Sequence, residues 1–276
     1  MISADTRVFA LLGDPVRHSL SPAIQNAAAR AVGVDGVYVA LKATHEELPG
    51  FIRGLSRAGG GGNITLPLKE KAPSVLDTPL EAVRRTGACN TFWLQDGKVV
   101  GDNTDVEGFR RAVGTFMQGG SARGQRVLLL GAGGAARAVL VSLLDDGADE
   151  VCVVNRSAER ARSMARRIGG SRVRVLDVPR DWHDQDFDLV VNATSLGLGL
   201  HDPLPLDLER LDRAGAVMDL VYGPVGTPFL RHAEGLGIRA TDGKEMLVQQ
   251  AAASFERWWD TPAPVDAMRA ALAGAR

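Results

Sequence analysis

Short apolar runs alternate with helical patterns along almost the whole chain, and this alternation constrains the fold more than any other feature. RVFALLG (7–13), GVYVALKA (36–43) and GNITLP (62–67) read as strands. Between them, Ser21 reads as the N-cap of a helix with Pro22 at its first position. Residues 45–59 read as a helix interrupted or started by Pro49. CNTFWLQDGKVVGDN (89–103) predicts a hairpin turning at Asp96-Gly97. A second series begins near residue 106, with strands at 126–133, 150–157, 173–179, 188–194 and 216–222 and helical stretches such as SAERARSMARRIG between them. KEMLVQQAAASFERWW (244–259) reads as an amphipathic helix, and a last helix follows Pro264. Strands alternating with helices predict an α/β protein with largely parallel sheets. At 276 residues and 45% hydrophobic content the chain suits two domains of ordinary size. No repeat or long polar linker separates them, so the domains join through structured elements, with a cleft expected between them.

Charge excludes several classes of partner. Lys and Arg number 32 against 33 Asp and Glu, a net charge of −1, so nothing points to nucleic acid or an anionic membrane surface. The segment MISADTR leads into too short an apolar run for a signal-peptide core. Residues 127–144 have nearly the length of a membrane span, but Arg137 and a glycine cluster break them into a strand, a turn and a helix. The two cysteines, Cys89 and Cys152, are too few for a disulfide framework and have no metal-ligand spacing, which points to a reducing cytoplasm. The five histidines, His18, His45, His183, His201 and His232, show no paired metal spacing either. Neither a nucleophile elbow nor a P-loop is present. Cys89 is the one alternative nucleophile, and its surroundings suit a small buried residue better.

A glycine turn, weak by itself and equally a tight strand–helix packing turn, gains weight from the well-formed strand and helix that flank it. Gly131, Gly133 and Ala136 fit G-x-G-x-x-G/A directly after an apolar strand and at the opening of a helix. Small residues there let a pyrophosphate approach the backbone, where free N–H groups and the helix dipole favour an anion. An NAD-binding chain carries an acid about 20 positions on, to hold the adenosine ribose. This chain has Asn155, Arg156 and Ser157, with Arg160 one turn later. Two guanidiniums suit a 2′-phosphate, so the pattern favours NADP. The missing acid also counts against an S-adenosylmethionine enzyme. Arg162, Arg166 and Arg167 read as a solvated basic face.

Chemistry in the first half is less explicit. GGNITLPLKEKA (61–72) sets Lys69 just past an apparent buried strand, an unusual place for an ammonium group. HSLSP (18–22) puts Ser19 and Ser21 at a strand-to-helix junction, where hydroxyls either bind an anion or cap the helix. GACNT (87–91) and GDNTD (101–105) bring Asn90, Asn103, Thr104 and Asp105 to strand ends. Short polar side chains beside glycines suit either turns or recognition of a polyhydroxylated ligand.

In order along the chain, GDPVRHSLSPAIQN, GGNITLPLK, GACNT, GDNTDVEGF, GAGGAARAV, NRSAER, DLVVNATSLG, MDLVY and GKEMLVQQAAASFERW resemble the shikimate dehydrogenases nearly end to end. The resemblance implies two α/β domains: a substrate-binding catalytic domain at 1–105 and a Rossmann-like NADP-binding domain at 106–242. Helices of 243–276 would return to the first. It implies Lys69 and Asp105 as the catalytic pair and Ser19 and Ser21 as a carboxylate clamp. Thr65, Asn90, Asp105 and Gln250 would partner ring hydroxyls, and Tyr222 and Gly243 would line the junction of substrate and nicotinamide. For NADP it implies Gly131, Ala132, Gly133, Gly134, Ala135, Asn155, Arg156, Ser157, Arg160, Thr194, Leu220 and Gly243. The implied reaction is NADPH-dependent reduction of 3-dehydroshikimate on the route to chorismate and aromatic amino acids. Quinate or an aminoshikimate as substrate, and a non-catalytic NADPH sensor, are the rival readings; a monomer and a homodimer both stay open. One departure is Gln25-Asn26, where the family commonly has His-Asn, and that position reads as structural.

Overall fold

The computed structural model describes residues 2–118, 120–176, 185–199, 202–223 and 225–275. The chain divides into two compact units, Met1–Gly108 with Leu247–Arg276, and Phe109–Met246.

In the first unit, strands β1 (Arg7–Gly13), β2 (Gly36–Lys42), β3 (Gly61–Ile64), β4 (Thr78–Pro79), β5 (Thr91–Gln95) and β6 (Lys98–Asp102) form a sheet of order β2-β1-β3-β5-β6-β4. β1 runs parallel to both its neighbours, and β5 is antiparallel to β3 and β6. Alternation along β1 sends Ala10 and Leu12 into a cluster with Leu48, Ile52, Ile64 and Phe92. Phe9 and Leu11 pack on the other face with Tyr38, Trp93 and Trp258. Both faces are covered, which is why the strand reads as a continuous apolar run. The hairpin turns at Asp96 (φ 49°) and Gly97 (φ 73°), the left-handed pair that a two-residue turn matching strand twist requires.

Helices α1 (Ser21–Val32), α2 (Leu48–Arg57) and α3 (Glu81–Thr86) connect these strands. Helix α4 (Asp105–Phe116) follows β6. Ser21 is the first residue of α1 rather than its cap: the flanking residue is Leu20, and the Ser21 N–H donates to Ser19 Oγ at 3.2 Å. Pro49 sits in the first turn of α2 and starts it. The strand expected over 62–67 ends at Ile64. Thr65 N–H still reaches Leu12 O (2.9 Å), but Leu68 N–H then turns back to Thr65 O (2.9 Å), and Pro67 has no N–H to offer a ladder.

The second unit carries β7 (Arg126–Leu130), β8 (Glu150–Val154), β9 (Val173–Val175), β11 (Leu189–Asn192), β13 (Ala216–Asp219) and β14 (Arg239–Thr241), all parallel. Their order is β14-β13-β11-β7-β8-β9, and β10 (Asp186–Phe187) pairs separately with β12 (Arg213–Ala214). Strand order reverses between β7 and β11, the switch point at which open α/β sheets bind ligands. Val127 and Leu129 face one core, Leu128 and Leu130 the other. Helices α5 (Gly134–Asp146), α6 (Ala158–Met164) and α7 (Pro228–Gly235) belong to this unit, and α6 continues into a wider turn, Ala165–Gly169. The end of the strand expected over 173–179, from residue 177, lies outside the described residues, as do His183 and His201.

Helix α8 (Lys244–Trp259) ends in the first unit and α9 (Val265–Gly274) lies within it. There Val248, Ala251, Phe255, Met268 and Leu272 pack on Ile24 and Ala28 of α1. Among the described residues, no helix is long and apolar enough to cross a membrane.

Candidate active site

The first unit gathers a cation, a carboxylate and two amides. Lys69 Nζ lies 2.6 Å from Asp105 Oδ2, with side-chain exposures of 17% and 6%. Asp105 opens α4, where the dipole and free N–H groups favour its charge. Its other oxygen, Oδ1, accepts from Asn90 Nδ2 at 2.8 Å. Asn90 Nδ2 also faces Gln250 Oε1 at 3.5 Å, and Gln250 Nε2 donates to Leu247 O at 2.9 Å. Lys69 is held in the turn after β3 through its own carbonyl, which accepts from Cys89 N–H at 2.9 Å. Four expected residues from three sequence regions and a returning helix thus meet around one ion pair.

Behind them lies a buried network that joins Thr104 of GDNTD to Asn63, Ser254 and Tyr38, for which no local motif gave a polar role. Thr104 donates to Asn90 Oδ1 through its N–H (2.7 Å) and its hydroxyl (3.1 Å). Thr104 Oγ1 touches Ser254 Oγ at 2.9 Å, and Asn63 Nδ2 donates to Ser254 Oγ (2.9 Å) and to Asn90 O (3.0 Å). Tyr38 O–H donates to Asn63 Oδ1 at 2.9 Å. Burial pushes the Tyr38 phenol well above its usual range, so it remains a donor. Arg257 on α8 binds Asp102 (3.2 Å) and Glu107 (2.9 Å), bracketing the segment that carries Asp105.

Ser19, just before α1, Ser21, the first residue of α1, and Thr65, just after β3, belong to the same unit. Among the described residues, no hydrogen bond joins their hydroxyls to the Lys69 cluster; the Ser19 hydroxyl accepts the first N–H of α1. Gln25 takes a structural position: its Nε2 donates to Ala251 O at 3.0 Å, while Oε1 is buried without a partner. Asn26 pairs with the Tyr38 backbone, accepting at 2.9 Å and donating at 2.7 Å. Cys89 is fully buried, its thiol pushed up to about 12 by burial, so it supplies no nucleophile.

In the second unit the glycine turn caps β7. Gly131 adopts φ 117°, and a Cβ there would lie 2.9 Å from Ala193 O, so only glycine fits between the ends of β7 and β11. At Gly133 and Gly134 an added Cβ meets no protein atom within 4 Å. Bareness there leaves open the space into which the first turn of α5 points its N–H groups, with no side-chain cap on them. Ala132 is buried and Ala135 half-buried in the same turn. That cradle, followed by β8, fits a dinucleotide pyrophosphate.

Residues after β8 also fit the nucleotide. Arg156 and Arg160 are exposed and their guanidiniums have no protein partner among the described residues, whereas the Arg166 guanidinium is paired with Glu159 at 2.7 Å. Asn155 Nδ2 donates to Ser157 O (2.9 Å), and Ser157 Oγ caps α6 by accepting from Arg160 N–H (3.4 Å). Thr194 is tied to Asn192 Oδ1 through its hydroxyl (2.7 Å), and Asn192 Nδ2 donates to Asp219 at 2.8 Å. Burial raises the Asp219 carboxyl, which also accepts from Thr227 O–H and Val221 N–H. Leu220 presses on Gly243, where a Cβ would lie 2.1 Å from Leu220 O. Tyr222 is half-buried, and its phenol is raised by burial and by Asp242. Among the described residues, no group of His, Cys, Asp and Glu could hold a metal ion.

Comparison with known proteins adds independent findings. Family models described as the shikimate dehydrogenase substrate binding domain, shikimate / quinate 5-dehydrogenase and the shikimate 5'-dehydrogenase C-terminal domain match residues 11–92, 115–198 and 243–273. The shikimate dehydrogenase (NADP(+)) of Methanopyrus kandleri is 38% identical over 98% of this chain and 96% of its own length. The shikimate 5-dehydrogenase of Thermus thermophilus, solved in complex with NADP(H) and shikimate, is 39% identical over 96% of this chain and 97% of that one, with a TM-score of 0.85. The shikimate dehydrogenase of Aquifex aeolicus superposes with a TM-score of 0.89 at 33% identity, covering 99% of each chain.

Proposed function

The chain belongs to the shikimate dehydrogenase family, and from that premise we propose that it catalyses the reversible NADPH-dependent reduction of 3-dehydroshikimate to shikimate. The reaction serves chorismate and aromatic amino-acid biosynthesis in the cytoplasm. The observation that carries the reading is the largely buried Lys69–Asp105 pair at 2.6 Å, with Asn90 on the second carboxylate oxygen. Retention of Lys69 with Asp105 counts against a protein that only senses NADPH.

Bound NADPH supplies the hydride. Reduction of a ketone builds negative charge on its oxygen, and the Lys69 ammonium stabilises that charge and donates the proton. Asp105 fixes the ammonium and accepts from a neighbouring ring hydroxyl. Asn90, through its second N–H, and Gln250, through its amide, serve the remaining hydroxyls. Ser19 and Ser21 hold the ring carboxylate through their hydroxyls, and Thr65 lies one turn from Lys69. On the second unit, Gly131 through Ala135 cradle the pyrophosphate, and Asn155, Arg156, Ser157 and Arg160 hold the adenosine 2′-phosphate. Thr194, Leu220, Tyr222 and Gly243 belong to the nicotinamide end. The test is NADPH consumption with 3-dehydroshikimate, followed by the absorbance of the reduced nicotinamide. Turnover that needs both reactants supports the reading. Binding of NADPH without turnover would favour the sensor instead.

A further inference from the structure

The polar groups behind Asn90 have a definite direction, set by two backbone groups that cannot reverse. Thr104 N–H can only donate, so the Asn90 side-chain atom facing it is Oδ1, and Nδ2 is the atom turned to Asp105. Asn90 O can only accept, so the Asn63 atom facing it is Nδ2, and Oδ1 is turned to Tyr38. The hydroxyl protons follow. Asn90 Oδ1 has no proton to give, so the Thr104 hydroxyl donates to it. Thr104 Oγ1 must then accept from Ser254, whose own oxygen accepts from Asn63 Nδ2. Every donor in the series Tyr38, Asn63, Ser254, Thr104, Asn90 points one way, and the series ends on Asp105 Oδ1. All six residues are buried, from 0% exposed at Ser254 to 6% at Asn63.

We infer that Thr104, oriented by Ser254 and Asn63, is a positioning residue: it locks the Asn90 amide so that its N–H group meets one Asp105 oxygen and leaves the other to Lys69. The physical reason is that buried hydrogen bonds polarise one another when donors run head to tail, and a low-dielectric interior makes a reversed or missing donor costly. Without the Thr104 hydroxyl, Asn90 Oδ1 keeps a single donor and the amide loses its second restraint. Asp105 then drifts relative to Lys69, and a small misplacement of a catalytic group slows the chemical step more than it weakens binding. This inference rests on the proposed reaction.

The test compares Thr104→Val, which keeps shape and removes the hydroxyl, with Thr104→Ser, which keeps the hydroxyl, and with Ser254→Ala. Expected values for shikimate oxidation are a kcat lowered about tenfold in Thr104→Val, with KM for NADP within about twofold of wild type. Thr104→Ser should recover kcat to within about threefold, and Ser254→Ala should lie between the two. A second readout needs no turnover: the Asn90 side-chain amide signals in 1H–15N spectra of the ligand-free protein, assigned with Asn90→Asp. They should shift in Thr104→Val and Ser254→Ala and hold in Thr104→Ser. Wild-type protein that fails to oxidise shikimate defeats the proposed reaction and leaves the spectra to decide on the chain of donors. Wild-type kcat and unmoved Asn90 signals in Ser254→Ala and in folded Thr104→Val would overturn the inference. Should Thr104→Val fail to fold, Ser254→Ala decides by the same two measurements.

Discussion

Lys69 shows how far a single residue can be read. Its oddity is local: an ammonium just past a strand end. Its partner lies 36 positions away, and their 2.6 Å contact depends on the turn after β3 meeting the first residue of α4. Removing one member of such a pair leaves the other charge largely buried and unpaired. Lys69→Ala should therefore lower kcat by at least the ~10²-fold typical of a lost general acid, with the affinity for NADPH little changed. Steady-state rates and a nucleotide titration on the folded variant check this, and near-normal turnover would refute the assigned role. Asn90 and Asp105 were legible from GACNT and GDNTD through resemblance. Asn63 and Ser254 were not, because one sits in an apolar strand, the other in an amphipathic helix, and only packing brings them 2.9 Å apart.

At the scale of elements, periodicity served well where local rules decide. Residues 7–13 form a strand and 244–259 a helix as read, because alternation and helical spacing are properties of the segment itself. It failed where tertiary contacts decide: β14 (Arg239–Thr241) exists by pairing with β13, and the strand from 62 ends early because the chain turns at Thr65. The β8–α6 junction carries a prediction of its own. Arg156 and Arg160 stand exposed at the start of α6, where an NAD enzyme would place an acid. Wild type should prefer NADP to NAD, and Arg156→Ala should lose about 1.5–3 kcal/mol toward NADP, or roughly one to two decades of affinity. Titration of both proteins with both nucleotides decides; full NADP affinity in the variant would remove Arg156 from the site.

The opposite rim of the same sheet makes a different prediction. Arg126 binds Glu150 at 2.7 Å and donates its N–H to Asp188 at 2.9 Å, and Arg213 binds Asp188 at 2.8 Å. The Arg126 side-chain hydrogen bond holds the Glu150 carboxyl below the usual carboxylate range, and the Arg126 backbone N–H does the same for Asp188. With folded values depressed, their contribution is present above the ordinary carboxylate range and is lost as pH falls through the lowered values. Both carboxylates are partly solvated, so the effect is modest. Thermal midpoints measured from about pH 7 to about pH 3 should fall below about pH 4.5, and Glu150→Gln should make that fall shallower. An unchanged acid slope in the variant would show that this rim does not contribute.

At the scale of the whole chain, the choice between shikimate and quinate carries a prediction. Both acids carry a carboxylate and several hydroxyls, so charge does not separate them. Quinate has a saturated ring and an extra hydroxyl beside the carboxylate, the end assigned to Ser19 and Ser21. A site fitted to one set of hydroxyls rejects another because misplaced partners leave buried groups unpaired. Shikimate should be favoured by at least ~10² in kcat/KM, about 2.7 kcal/mol of transition-state binding. Steady-state NADP reduction with each acid measures this, and equal efficiencies would mark a dual-substrate enzyme. The α/β class, most of the strands, the glycine turn and, through ordered motifs, the family are legible in the residues alone, because they rest on short-range spacing and on residue types. Only the folded chain shows the 2.6 Å contact of the expected pair Lys69 and Asp105, that Gly243 must lack a side chain beside Leu220, and which way the donors run from Tyr38 to Asp105. Those facts join residues up to 191 positions apart, as Asn63 and Ser254 are, and no local propensity reports a contact that only chain folding closes.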